Sequence, residues 1–463
     1  MTTLPRPAAS APRDYRFPRF ERRKLSNGVG FIIAPVKKLP VVTVLAIIDA
    51  GGTSDPDGKE GLASLTADAL REGTARRDGL ELALELESLG TSVEAGADWD
   101  STIVGMTVLS EHFGEAFALF GEVLTSPMFL TKDIDRLRSE RLAERMQILS
   151  EPRGLADESF AKFIYAGGSR YSEPLAGGTE SVSSISREDI SEFYQRHYGP
   201  GATTIVLAGD VDTDEAEELL ESTLGFWKGQ HHPARKTVDE RSRTNRAIAL
   251  VAKADAAQAE LRIGHVGVER KHPDYFGIVV MNAVLGGLFS SRINLNLREA
   301  HGYTYGASSH FDWRRNAGPF VISTAVQSEV TADAIRETLT EIDRMRSEEI
   351  PVDELTLATD YLDGVFPIRY ETTAAIASAL ANMVIFELPD DYYDTYREKV
   401  RAVSSADVLA AACKHVDAEA LQVVVVGDVA IIREAIESLG FGPVAPTLAP
   451  VVAALVTSGS AEE

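Results

Sequence analysis

Cysteine is almost missing: the 463 residues include one, Cys413. That excludes an internal disulfide and any metal cluster built on several cysteines, and the expected role of the single thiol is a buried, inert one. Positive charge is scarce as well. Lys and Arg number 46 against 70 Asp and Glu, a formal net charge of −24. So acidic a chain argues against nucleic acid, whose binding rests on cations that neutralise phosphates, and suits a soluble protein with a cationic substrate or partner. No segment reaches the ~18 consecutive apolar residues of a membrane span. The stretch from Met1 to Arg23 holds Pro5, Pro7, Pro12 and Pro18 among six arginines and lacks the apolar centre of a secretory signal. Its prolines would break the amphipathic helix of an organellar presequence, so the expectation is a disordered arm on a cytoplasmic protein.

Familiar catalytic signatures are missing too. There is no phosphate-binding Walker loop, no G-x-G-x-x-G after a strand and no G-x-S-x-G elbow. Of the nine histidines no two stand at i, i+4, so no single helix offers paired imidazoles to zinc; His231-His232 reads as a solvated loop. Asp210, Asp212, Asp214 and Glu221 fall at calcium-loop spacing, but Glu215 replaces the glycine of the sharp turn. The run EAEELL that follows reads as helix, so these acids are expected at a helix start, where the macrodipole favours negative charge.

What is present is an ordinary globular composition, 44% hydrophobic and 25% charged, at a length that suggests two to four domains of ~100–200 residues. The chain also repeats itself. Ser186 and Ser404, Asp189 and Asp407, and Gly209 and Gly427 are each 218 positions apart. Each Ser-x-x-Asp reads as a helix N-cap, and the apolar run before each glycine as a buried strand.

The first half reads as strand Val41–Asp49, helices Gly61–Glu72 and Gly79–Leu89, a hairpin of Val93–Ala97 with Thr102–Leu109, and helices His112–Leu124 and Lys132–Leu149. The last is charged enough to face solvent. The second half reads as strand Ala259–Gly264, helix Pro273–Leu285, strand Phe320–Ala325 and long helices. Such mixed runs indicate α+β rather than a doubly wound sheet: two homologous halves whose mixed sheets are flanked by helices. The expected organisation is a disordered arm (1–19), a first α+β domain (20–227), a polar linker (228–245), a second α+β domain (246–445) and a flexible tail (446–463).

The segment GTSDPDGKEGLASLTADALREGT, Gly52 to Thr74, resembles the opening of the inverted-motif zinc peptidases, the family of pitrilysin, insulin-degrading enzyme and mitochondrial processing peptidase. In that family G-L-x-H-x-x-E-H-x-x-x-x-G-T supplies two zinc-binding histidines and a glutamate that activates water. Gly61-Leu62 and Gly73-Thr74 frame the segment at the family spacing, but the chemical positions are Ser64, Ala67 and Asp68. Neither serine nor alanine replaces an imidazole or a base. Aligning on Pro152 puts the family's third ligand at Glu144, which stands alone as a surface or packing carboxylate. The resemblance runs from about Phe20 to Val444 and includes the segment PLAGGTESV (174–182) through Phe193-Tyr194 and Tyr198.

In the second half, Gly286-Gly287 followed by Leu297-Arg298-Glu299-Ala300-His301-Gly302-Tyr303-Thr304-Tyr305 is similar to the family's glycine-rich turn and L-R-E-x-x-G-x-x-Y. The resemblance implies that Arg298 and Tyr305 are catalytic and that Gly286, Gly287, Arg298 and Tyr305 meet substrate. Both side chains donate hydrogen bonds suited to a scissile carbonyl and the oxyanion it becomes. With zinc positions degenerate and the Arg/Tyr pair kept, the implied function is the non-zinc subunit of a heterodimeric zinc metalloendopeptidase, inactive alone. It would carry no metal or cofactor of its own, and a homologous partner would bring H-x-x-E-H and zinc. The alternatives are a non-proteolytic peptide-binding or scaffold homologue and, with less support, the substrate-recognising subunit of an organellar processing peptidase.

Overall fold

The computed structural model describes residues 14–229 and 239–446. Two mixed sheets organise it. The first contains β1 (Glu21–Lys24), β2 (Gly30–Pro35), β3 (Val41–Ile48), β4 (Glu94–Ala97), β5 (Thr102–Leu109) and β6 (Thr203–Gly209), in the order β1-β2-β6-β3-β5-β4. The second contains β7 (Ala247–Ala252), β8 (Gln258–Val266), β9 (Ala307–Phe311), β10 (Pro319–Gln327) and β11 (Gln422–Gly427), in the order β7-β11-β8-β10-β9. Apart from β1, the two orders are one topology: β2 pairs parallel with β6 as β7 does with β11, and the remaining neighbours are antiparallel. The sequence repeat is therefore a repeat of structure.

Helices of the first half are α1 (Leu62–Ala69), α2 (Gly79–Ser88), α3 (Phe113–Thr125), α4 (Thr131–Ser150), α5 (Pro152–Ile164), α6 (Thr179–Ser184), α7 (Arg187–His197) and α8 (Thr213–Leu224). Those of the second are α9 (Tyr275–Asn282), α10 (Arg292–Asn294), α11 (Thr331–Ser347), α12 (Val352–Arg369), α13 (Thr373–Ile385), α14 (Tyr392–Arg401), α15 (Ser405–His415) and α16 (Val429–Glu437). Ser186 and Ser404 cap α7 and α15 with full capping boxes to Asp189 and Asp407, satisfying amide donors that a helix start leaves open. Asp212 caps α8 by accepting from the Asp214 and Glu215 amides, while Glu221 accepts from the Ser26 amide at 3.1 Å. The acids at calcium-loop spacing thus hold a helix and a turn.

Strand side chains alternate between cores, as a period of two requires. On β2, Phe31 and Ile33 join a core with α1, α3, α7 and α8, while Ile32 and Ala34 face the opposite way. That second face is covered by α13, a helix of the other half, through Ile376, Ala377 and Leu380. The reciprocal holds. On β11, Val424 and Val426 pack under Leu155, Phe160, Phe163 and Ile164 of α5, a helix of the first half. Each half thus lends one helix to the other's sheet.

Two expectations change. Cys413 is exposed rather than buried; its thiol lies 3.0 Å from the Arg346 carbonyl oxygen, because α15 turns that face outward. Residues 14–19, expected within a disordered arm, are ordered: Phe17 stacks on Tyr393 with ring centroids 4.6 Å apart, and the Tyr15 hydroxyl donates to the Tyr370 carbonyl. In the expected linker, Ser242 and Arg243 donate to the Phe163 carbonyl oxygen. His231 and His232 lie outside the described residues, as do 1–13 and all of the tail after Ala445 and Pro446. The stretch Tyr275–Ala300 is apolar and long enough to cross a membrane by composition, but just over half of it is buried within the protein, and it forms the core of the second half through Ile278, Met281, Leu285, Ile293 and Leu297.

Candidate functional site

The residues expected at the degenerate zinc positions, Ser64, Ala67, Asp68 and Glu144, come together on α1 and α4. Gly61, at φ +96, starts α1 where any Cβ would lie 2.5 Å from the Ala176 carbonyl oxygen, so the tight entry to the helix needs glycine. Buried Asp55 accepts the Gly61 and Ala63 amides at 2.8 and 2.7 Å and pairs with Arg170 at 2.9 Å, which fixes the helix start. Ser64 and Asp68, one turn apart, face α4, with Ala67 fully buried between them.

Arg141 of α4 fills the space between these positions. Its guanidinium donates to the Ser64 hydroxyl at 3.0 Å and the Asp68 carboxylate at 2.6 Å, and its Nε lies 3.2 Å from the Glu144 carboxylate. One fixed cation with no acceptor therefore contacts three of these four residues. Burial pushes the Asp68 carboxyl above its usual range, against the opposing pull of Arg141 and Arg71. Glu144 itself is 64% exposed, a surface carboxylate. A serine, an alanine and a guanidinium in this arrangement do not fit a metal ion: the pocket already holds a positive charge and presents no imidazole.

The second candidate set lies on the segment from α9 to β9. After α9 the helix widens into a π-turn, Ala283–Gly287, which contains both glycines. A Cβ on Gly286 would sit 2.5 Å from the Ser309 hydroxyl and 2.6 Å from its amide, so the glycine lets the turn lie against β9. Two asparagines clamp the segment. Asn282 donates to the Ser309 carbonyl and accepts from its hydroxyl, at 3.0 and 2.7 Å. Asn294 donates to the Phe289 carbonyl at 2.6 Å and accepts the Ala307 amide at 3.0 Å.

On this clamped frame Arg298 extends from a second π-turn, Leu295–Ala300. Its guanidinium lies 4.6 Å from the Phe289 ring centre and 3.6 Å from the Glu299 carboxylate, a cation–π contact that orients it. Tyr305 is 92% exposed, although its neighbours are held: Thr304 accepts the Gly306 amide at 3.1 Å, and Thr324 donates to Thr304 at 3.0 Å. Phe289, 72% exposed, and Leu295 add apolar surface beside the pair. Gathered apolar exposure of this kind marks an interaction site more often than scattered residues do.

Arg141, Asn282 and Asn294 carry much of this geometry, and none of them belongs to a motif visible in the sequence. Amide side chains within a largely apolar stretch were a visible signal for the asparagines. Arg141, one of several arginines on a charged helix, gave none.

Residues 33–174 match the family described as Insulinase (Peptidase family M16), and residues 184–362 match the Peptidase M16 inactive domain. Among curated relatives, an uncharacterised zinc protease of Streptomyces coelicolor is 22% identical over 84% of this chain and 86% of its own length. A non-peptidase homologue, YmxG, of Helicobacter pylori is 24% identical over 80% of this chain and 85% of its own. The solved structure of a peptidase M16 inactive domain from Pseudomonas fluorescens superposes with a TM-score of 0.83 at 25% identity, covering 89% of this chain and 98% of that one.

Proposed function

Because the chain belongs to peptidase family M16 and carries that family's inactive-type domain, we propose that it is the zinc-free subunit of a two-chain metallopeptidase. A homologous partner with an intact H-x-x-E-H helix would supply zinc, which activates water and polarises the peptide carbonyl. This chain would bind the extended peptide against the surface of Arg298, Tyr305 and Phe289. The phenol and guanidinium would donate to the carbonyl oxygen as negative charge develops on it. The glycine turn and the two asparagines would hold the backbone beneath the pair, so little reorganisation is needed during reaction.

One observation carries the reading: the Arg141 guanidinium lies among the degenerate metal positions, while Arg298 and Tyr305 stand on a clamped, open surface. The chain alone is expected to cleave no peptide, and mixing with a zinc-motif homologue is expected to generate cleavage. In the assembled pair, Tyr305→Phe and Arg298→Ala should each lower kcat by ~10²–10³-fold, the scale of losing one oxyanion donor, with assembly by gel filtration unchanged. Wild-type rates in both variants would remove the pair from the mechanism. The name of the Helicobacter relative supports a second reading, a peptide-binding homologue without peptidase activity; binding of peptide with no cleavage alongside any zinc-motif homologue would favour it.

A further inference from the structure

Among the described residues, one group of His, Asp and Glu or Cys side chains could hold a metal ion, and it is remote in sequence from the zinc-motif helix: His272, Asp274 and His415. A ring nitrogen of each histidine and an oxygen of Asp274 lie within 4.8 Å of one another. His272 and Asp274 immediately precede α9, and His415 ends α15, which packs along α9; a Cβ on Gly277 would lie 3.5 Å from that of Ala411. His415 Nε2 is 2.7 Å from Asp274 Oδ2, His272 Nδ1 is 3.9 Å from the same oxygen, and the two rings meet edge to face at 4.6 Å. Zinc bonds of ~2.0–2.2 Å place tetrahedral donors about 3.4 Å apart, so the His415–Asp274 separation must widen and the others close, each by at most about 1.4 Å.

The repeat argues that the group is not merely part of the fold. At the 218-residue offset, His415 corresponds to His197, which also ends its helix and is also buried. At the 213-residue offset between α1 and α9, His272 and Asp274 correspond to Lys59 and Gly61, neither a zinc ligand here. The fold thus places an imidazole at the helix end in both halves, and the second half alone adds a second imidazole and a carboxylate beside it. His272 Nδ1 accepts the Asp274 amide at 3.1 Å, a bond that a cation at this nitrogen would displace.

We propose that His272, Asp274 and His415 bind a zinc-class divalent cation that ties the start of α9 to the end of α15. Lys414 is the internal competitor: its ammonium lies 2.7 Å from the same Asp274 oxygen and, with the side chain 61% exposed, it can swing into solvent when a metal enters. Two imidazoles and one carboxylate suit zinc, with cobalt as its spectroscopic substitute, and leave a fourth position for water. The site differs from the expectation of a metal-free chain because its ligands come from the approach to one helix and the end of another, as much as 143 positions apart, beyond the reach of any local motif.

The test uses the full chain, charged with Zn²⁺, freed of excess by dialysis and measured by elemental analysis, with Co²⁺ absorption as a second readout. One retained equivalent is expected. His272→Ala and Asp274→Asn should weaken binding at least as much as loss of a ligand's supporting partner does, ~10–100-fold, whereas Lys414→Met should tighten it. Cys413→Ser should bind as wild type, which separates the site from the exposed thiol. Circular dichroism of each variant confirms folding, and His415, nearly buried, is left intact. Wild-type protein that retains no zinc, or equal retention by His272→Ala and Asp274→Asn, would overturn the proposal. Neither readout involves peptide cleavage, so the result stands apart from the peptidase reading.

Discussion

Replacing Arg141 with methionine would leave Asp68 and Ser64 facing an apolar side chain, with the Asp68 side chain only 22% exposed. Loss of a charge-assisted partner to a part-buried carboxylate costs about 1–3 kcal/mol, so chemical denaturation should show Arg141→Met destabilised on that scale, and an unchanged midpoint would count against the pairing. The same residue sets a condition on restoration. Ser64→His, Ala67→Glu and Asp68→His together should bind zinc at α1 only when Arg141→Met is added, read in a His272→Ala background. At the other end of the charge scale, buried His265 shares its Nδ1 with the Val266 carbonyl, and its Nε2 accepts the Asp417 amide. Burial pushes its pKa down from 6.5 to about 4, so the folded protein holds it neutral while an unfolded chain protonates it. Its contribution is complete above pH 6.5 and is lost as pH falls through 4, worth ~3 kcal/mol over that window. His265→Gln, which can still donate and accept, should flatten the acid side of a stability–pH curve; an identical slope would assign the acid sensitivity elsewhere. Site legibility divides at this scale. Ser64, Ala67 and Asp68 stand out in the sequence because flanking glycines set their spacing. Arg141 could not, since only packing of α4 on α1 singles it out among the charges of RLRSERLAER.

At the level of elements, the π-turn is the most demanding piece. Gly286→Ala would drive a Cβ into Ser309, an overpacking that typically costs about 1–3 kcal/mol, and it should lower Tm and reconstituted activity together. A variant with wild-type Tm would show that the turn can shift. The elements easiest to read were those with local punctuation: α7 and α15 with their serine caps, and β3 and β5 with continuous or alternating apolar patterns. Less readable was α5. Its weak amphipathic pattern reflects a surface matched to β8 and β11 in the other half, a partner no local window contains. The small edge strand β1 and the ordering of Tyr15 and Phe17 escaped for the same reason: their contacts are supplied by distant parts of the chain.

For the whole molecule, the cores cross between halves. Ile32, Ala34 and Val206 of the first sheet share a core with Ile376 and Leu380, and the β9–β10 turn reaches back, with Arg314 between the rings of Trp99 and Tyr171 at 4.3 Å from each. Calorimetry should therefore record one cooperative unfolding transition; two separable transitions would mean that the halves are stable alone. The fold class and its duplication were readable from three landmarks at one offset, but the exchange of helices was not, because hydrophobic pattern shows that a face is covered without showing by what. That exchange bears on ancestry. A chain of half this length, carrying one sheet and one outward-reaching helix, would have had a bare face and an unclaimed helix, and both needs are met at once by a second identical chain. On that view the present protein is an old symmetric pair written into one polypeptide. Joining the copies freed them to diverge, so that the Arg141 guanidinium could settle in one half while the other kept an open surface.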